Sequence, residues 1–199
     1  HVRSRRQRQM CIRDRLLPAQ SKGISIMSVA FFRDKDEGAV VRAPIANQII
    51  QQFLKGVLWG DLDYLLIDFP PGTGDVQITL MQQARLSSVV VVTTPQEIAL
   101  LDVRKSVKMC QKLEVPLLGV IENMSYFIHP ETKDHYPLFG EGGGRMLAEE
   151  FQIPFLGKIP IDPLLNQCGD EGKSIFELEA LSSFSFDEIS GHLCQKTPF

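Results

Sequence analysis

The twelve residues 64–75, YLLIDFPPGTGD, constrain this chain more than any others. Tyr64, Leu65, Leu66 and Ile67 form an apolar run that stops on a carboxylate, Asp68, and Pro70, Pro71, Gly72 and Gly74 follow at once. A short apolar run broken by Pro and Gly reads as a strand buried on both faces, the usual state in a parallel sheet. The spacing then places Asp68 at the strand's carboxyl end, where open α/β sheets bind their ligands. A carboxylate buried there needs a cation or hydrogen-bond donors. In a nucleotide hydrolase that cation is Mg²⁺, and the Gly-rich turn lets backbone N–H groups approach a phosphate. The simpler alternative is that Asp68 caps the turn and the prolines stop the strand.

The rest of the chain alternates in the same manner. Residues 22–32 read as a first strand and 33–38 as a charged loop. Pro44 opens a helix whose apolar residues Ile45, Ile49, Phe53 and Val57 recur at helical spacing, with Gly60 at its end. Residues 64–67 are the second strand, and Asp75 is placed to cap a helix running to about Arg85. Residues 89–92, 116–121 and 154–159 read as further strands, residues 97–112 and 144–151 as helices, and the tail beyond Ile175 as helical. Strands alternating with helices imply right-handed crossovers and a parallel sheet covered on both faces. The pattern predicts an α/β fold, with no internal repeat and no second domain.

Charge and cysteine spacing exclude several functions. Six of the 21 basic residues and one of the 24 acidic residues lie within residues 1–15, leaving 15 basic against 23 acidic in the remainder. That acidic balance argues against a nucleic-acid surface. Residues 1–21 read as a disordered basic extension and 22–199 as the folded domain. Cys11, Cys110, Cys168 and Cys194 contain no C-x-x-C, so neither a disulfide scaffold nor a zinc ribbon is suggested, and a reducing cytoplasm is the expected home. No apolar run approaches the roughly 18 residues of a membrane span. Cys110 falls on an apolar helix face and reads as packing; Cys168 lies in a loop-like segment and reads as the more reactive thiol.

Asp-x-Pro-Pro-Gly-Thr-Gly-Asp, residues 68–75, resembles the switch II signature of the Mrp/ApbC/NBP35 family of P-loop ATPases that carry iron-sulfur clusters. The likeness runs from about Ser25 to about Phe176, through VVVVTTPQEIALLDVRKSV, GVIENMSYF, FGEGGGRMLAEEF and FLGKIPIDPLLNQCGDEGKSI. It implies a parallel-sheet P-loop NTPase fold with helices on both faces. It also implies ATP and Mg²⁺ as cofactors, a 4Fe-4S cluster, apo iron-sulfur proteins as partners and a homodimer. The phosphate-binding motif G-x-x-x-x-G-K-S/T does not occur in the 199 residues. The family's own version, K-G-G-V-G-K-S/T, is expected upstream of residue 22, so the domain reads as N-terminally truncated. By itself the chain is expected to bind nucleotide poorly and to hydrolyse none.

By resemblance, Asp68 holds Mg²⁺ through water, and Gly72, Thr73 and Gly74 form the switch beside the γ-phosphate. Asp75 either caps the following helix or helps orient the attacking water. Asn123 resembles the Asn that reads adenine in related ATPases, for which an amide is suited because it offers a donor and an acceptor; its alternative is a turn residue after a strand. Pro160 and Asp162 match the loop beside adenine. Gly142, Gly143 and Gly144 precede a helix and suit either an anion cradle or a plain turn.

The sequence departs from the family at YFIHPETKDH, residues 126–135, where many members carry C-x-x-C; here those two positions are His129 and Thr132. Thiolates are the usual cluster ligands. Two other readings compete. One is a MinD/ParA-type partition ATPase, against which the acidic tail ending LCQKTPF argues; the other is a non-catalytic interaction fragment without its phosphate grip.

Overall fold

A computed structural model describes residues 15–32, 43–70, 72–177 and 181–197. The chain divides into two compact units, one up to Arg85 and one from Leu86 onward; the sequence pattern gave no sign of that division.

In the first unit, β1 (Ala19–Ser21) and β2 (Ile24–Ile26) pair antiparallel. Lys22 (φ 49°) and Gly23 (φ 80°) both turn left-handed between them, the geometry whose twist suits a two-residue hairpin. A 3-10 turn, Val29–Phe32, follows, with Ser28 Oγ accepting the Ala30 N–H. The continuous strand expected over residues 22–32 is therefore replaced by a hairpin arm and a turn, because Gly23 lets the chain reverse. Residues 15–21 are ordered too, whereas the sequence assigned them to the basic extension; residues 1–14 and the charged loop at 33–38 lie outside the described residues.

Helix α1 (Ala43–Lys55) stops short of Gly60. Leu16 N–H donates to Gly56 O and Leu58 N–H to Leu16 O, forming a parallel bridge between Leu16 and Val57, each 7% exposed. Those bonds divert the backbone that the apolar spacing had assigned to one more helical turn. Helix α2 (Asp75–Gln83) packs on α1.

Residues 64–67 do not form the second strand. Tyr64, Leu65 and Leu66 are exposed, Leu66 to 90%. A strand exists only through lateral hydrogen bonds to a neighbour, and no described strand pairs with this segment.

The second unit contains the parallel sheet. Strands β3 (Val89–Thr93), β4 (Leu117–Glu122) and β7 (Phe155–Lys158) run in the order β3-β4-β7, all parallel. A small antiparallel hairpin, β5 (Phe127–Ile128) with β6 (His135–Tyr136), lies between β4 and α4 (Gly143–Phe151) in sequence. Helix α3 (Glu97–Lys112) links β3 to β4. Val91, Val120, Leu100, Val107, Leu147 and Ala148 form one buried cluster between the sheet and α3 and α4.

Alternate strand residues point the other way. Ile121, Leu156 and Ile159 pack against Ile189 of α6 (Leu181–Lys196), with Val90, Phe186 and Leu193 around them. Helices thus cover both faces, as the βα alternation predicts. Gly119 is forced by this packing, since a Cβ there would stand 2.6 Å from both the Leu156 side chain and Pro154 O.

Cys110 is buried in α3, and burial pushes its thiol pKa up. Cys168 is 1% exposed within α5 (Pro163–Glu171) rather than in a loop. Its segment reads as a loop because Gly169 and Gly172 flank it, but Asp162 and Pro163 start a helix there. Among the described cysteines only Cys194 is exposed.

Candidate functional site

Each of the two units carries some of the candidate residues. In the first, Asp68 is exposed on an irregular segment and has no hydrogen bond or ion pair among the described residues. The strand end expected to bury it is not formed. The turn beyond it is ordered by Gln77 of α2, which is 5% exposed and donates through Nε2 to Pro70 O at 2.9 Å. Gly72 takes φ 99°, a left-handed value that favours glycine. Gly72, Thr73 and Gly74 are all exposed.

Gly74 occupies the N-cap of α2 in an extended conformation. Asp75 is the first residue of α2, and no side-chain capping bond is made there. The expected Asp75 cap is therefore corrected: the carboxylate favours the helix start through the positive end of its dipole. The reason is one of register, since the helix begins at Asp75 itself and the capping position falls on Gly74. Pro71 lies outside the described residues.

The second part sits at the carboxyl end of the β3-β4-β7 sheet. Glu122 ends β4 and Asn123 follows, its N–H donating to Thr93 O at 2.7 Å. Asn123 Oδ1 accepts from the Met124 N–H at 2.9 Å, and Met124 itself is left-handed, φ 55°. The side-chain bond and the left-handed residue after it make this a turn. It leaves the second lone pair of Oδ1 and the whole NH₂ group without a partner among the described residues. The turn reading of Asn123 is thus seen directly, and the turn fixes where its amide stands.

Pro160 is buried, and Asp162 is 9% exposed. Asp162 Oδ1 accepts from Leu164 N–H as the N-cap of α5, and Oδ2 accepts from Ser182 N–H and Ser182 Oγ at the start of α6. One carboxylate thus holds the starts of two helices. The sequence gives no hint of Ser182 as its partner, twenty residues away.

The Gly-rich helix start meets an acidic side chain of the chain itself. Glu122 is fully buried, and its Oε2 accepts the Gly144 N–H at 2.6 Å. Gly142 is the N-cap of α4 at φ 74°. A Cβ at position 143 would meet Pro95 O at 2.5 Å, and one at 144 would meet Glu122 Cβ at 2.8 Å. The glycines therefore serve close approach. Sequence reasoning missed Glu122; its signal is a carboxylate ending an apolar strand upstream of a glycine triplet.

The β5–β6 hairpin carries the two positions that differ from the family pattern. His129 Nδ1 accepts from the Glu131 and Thr132 N–H groups, both at 3.3 Å. Tyr126 stacks on His135 at 4.5 Å between ring centroids, and its phenol pKa is pushed up by burial and then by Glu188. No group of three or more metal-ligating side chains occurs among the described residues. No helix among the described residues is long and apolar enough to cross a membrane.

Comparison with known proteins gives a consistent answer. An iron-sulfur cluster carrier protein of Synechocystis is 47% identical over 161 residues, covering 80% of this chain and 46% of that protein. A carrier of the same description from Pyrococcus furiosus is 47% identical over 174 residues, covering 87% and 59%. The chain spans about half the length of the curated relatives it matches. Among solved structures, a nucleotide-binding protein from Archaeoglobus fulgidus in complex with ADP superposes with a TM-score of 0.68 at 38% identity, covering 81% of this chain and 63% of its own. The cell-division ATPase MinD of Pyrococcus furiosus, at 19% identity and TM-score 0.55 over 76% of this chain and 58% of its own, shares the fold. The model of the family described as ParA, NUBPL iron-transfer P-loop NTPase, matches residues 2–194, and the chain belongs to that family.

Proposed function

We propose that this chain is a portion of an ATP-binding and ATP-hydrolysing iron-sulfur cluster carrier that acts in the cytoplasm as a homodimer and passes clusters to apoproteins. The observation that carries the nucleotide reading is Asn123. It is fixed at the carboxyl end of the central strand with its NH₂ group open, the type of group and the position suited to a base edge. Pro160, after β7, opens the neighbouring loop on the adenine side. Asp162 acts there indirectly, since its oxygens are committed to Leu164 and Ser182.

Asp68 fits Mg²⁺: it is exposed and unpaired among the described residues, and Mg²⁺ keeps several waters and takes one or two carboxylates beside the phosphates. The ion, when bound, neutralises charge on the phosphate oxygens. Gly72, Thr73 and Gly74 supply backbone donors and conformational freedom next to the γ-phosphate, and Asp75 stands one residue beyond to orient water. The changed position of this segment on phosphate loss is the expected signal to a partner.

The cluster is cargo. His129 and Thr132 give the hairpin no thiolate, and His129 Nδ1 is committed to two backbone N–H groups. Cluster contact through this hairpin is therefore not assigned to the pair. For the 199 residues taken alone, the non-catalytic reading is favoured by one feature, the irregular segment 64–67, which joins no sheet among the described residues before it leads into Asp68.

Calorimetric titration with ATP separates the two. Weak or no binding is expected for residues 1–199, and micromolar binding for the protein extended upstream through the expected phosphate loop. Failure of both removes the ATPase reading. In the extended protein, Asp68→Ala is expected to abolish ATP turnover. Anaerobic reconstitution followed by an absorbance scan tests cluster uptake.

A further inference from the structure

Glu122 is an unusual side chain to find buried at the end of a sheet's central strand. It is 0% exposed, in register with Thr93 of β3 on one side and Lys158 of β7 on the other. Oε2 has the Gly144 N–H; Oε1 is buried without a hydrogen-bond partner among the described residues. Burying a carboxylate on so few bonds is costly, and an apolar side chain of similar volume commonly serves a core as well or better. A buried polar group left half satisfied calls for an explanation other than stability.

The surroundings of Glu122 supply one. Its peptide oxygen accepts from Ile159 N–H at 2.8 Å and from Ser125 Oγ at 2.8 Å, and Ser125 N–H returns to Ile159 O. The next residue, Asn123, is bonded back to Thr93 O. Glu122 therefore joins the Asn123 turn, the run from β7 into Pro160, and, through its carboxylate, the start of α4.

We infer that Glu122 is a positioning residue for base recognition, holding the Asn123 turn through its bond to the Gly144 N–H. The inference rests on the proposed reading of Asn123 as the base-contacting residue. Removing the carboxylate frees the turn from α4, and the amide of Asn123 then samples orientations that no longer distinguish a purine with an amino group from one with a carbonyl.

The test compares ATP and GTP dissociation constants, by competition with a fluorescent ATP analogue, in the full-length protein and its Glu122→Ala, Glu122→Gln and Glu122→Asp variants. Glu122→Ala is expected to weaken ATP at least tenfold and GTP much less, collapsing the preference. Glu122→Gln keeps an acceptor for Gly144 and is expected to stay within threefold of the wild type. Glu122→Asp keeps the carboxyl group on a shorter arm, and at least a fivefold loss of preference is expected; it decides the matter where Glu122→Ala does not fold. A folded Glu122→Ala or Glu122→Asp with an unchanged ATP-to-GTP ratio overturns the inference alone, because a merely structural residue lowers the melting temperature without altering base choice. A wild type that binds neither nucleotide overturns the proposed function and this inference with it.

Discussion

Two stretches of this chain are written alike and fold differently. Tyr64, Leu65, Leu66 and Ile67 run into Asp68, and Leu117, Leu118, Gly119, Val120 and Ile121 run into Glu122; glycines follow each carboxylate downstream. The second is the central strand of a parallel sheet, with β3 and β7 on its flanks and Val120 and Glu122 wholly buried. The first is irregular and exposed, and no described strand lies beside it. Hydrophobicity states what a segment gains once it is paired; whether it pairs depends on neighbours that the segment does not contain. The two carboxylates inherit the contrast, Asp68 open to solvent and Glu122 locked on a helix start.

The sharpest way to break the comparison is a matched pair of leucine deletions read by urea unfolding. Leu100, 1% exposed beneath β3 and β4, is expected to cost about 3 kcal/mol when replaced by Ala, within the usual range for a fully buried leucine. Leu66→Ala in the same 199 residues is expected to change stability by less than about 0.5 kcal/mol, as for an exposed site. In the protein extended upstream, Leu66→Ala is expected to approach the core value, at roughly 2 kcal/mol. An unchanged small effect there would mean that residues 64–67 never become a buried strand.

Asp162 comes next. Replacing it by Ala removes the N-cap of α5 and both Ser182 bonds, and a loss of about 2 kcal/mol is expected from the usual worth of such caps. Ser182→Ala removes only the hydroxyl bond and is expected to cost roughly half as much. Equal costs would show that the link to α6 matters more than the α5 cap.

The smallest effect is on pH. Burial raises the Cys110 thiol pKa in the folded chain. The folded state thus retains a proton that the unfolded state gives up, and stability from this group is complete below the ordinary thiol value and declines as pH rises through the raised one. Cys110→Ala is expected to flatten that alkaline decline, while Cys194→Ala, at an exposed position, leaves it in place. Identical slopes for the two variants would remove Cys110 as the cause.

Much of the second unit is legible in the sequence because its signals are local. Helix α3 is announced by Leu100, Val103, Val107 and Cys110, and β3 by an unbroken valine run. Asn123 falls at a strand end by simple counting. The misreadings share another origin. The hairpin at Lys22–Gly23, the early end of α1 at Gly56 and the irregular segment at 64–67 are all decided by which backbone groups meet which neighbours, as with Leu16 and Val57. Ser182 on Asp162 and Gly144 on Glu122 link residues about twenty positions apart, a distance at which no spacing rule operates. Cys168 looked reactive only because glycine reads as loop, whereas the cap on Asp162 makes a helix of it.

The two margins of the sheet are finished unequally. Beside β7, α6 packs close, and His192 Nδ1 lies 3.0 Å from Leu156 O. On the other flank β3 pairs only with β4 among the described residues, and Val92 is 55% exposed. A strand edge with no strand beside it is a template for a second chain. Edge-to-edge association through Val89–Thr93 as the concentration rises is the expected consequence wherever that edge stays open, and a lysine in place of Val92 is expected to oppose it.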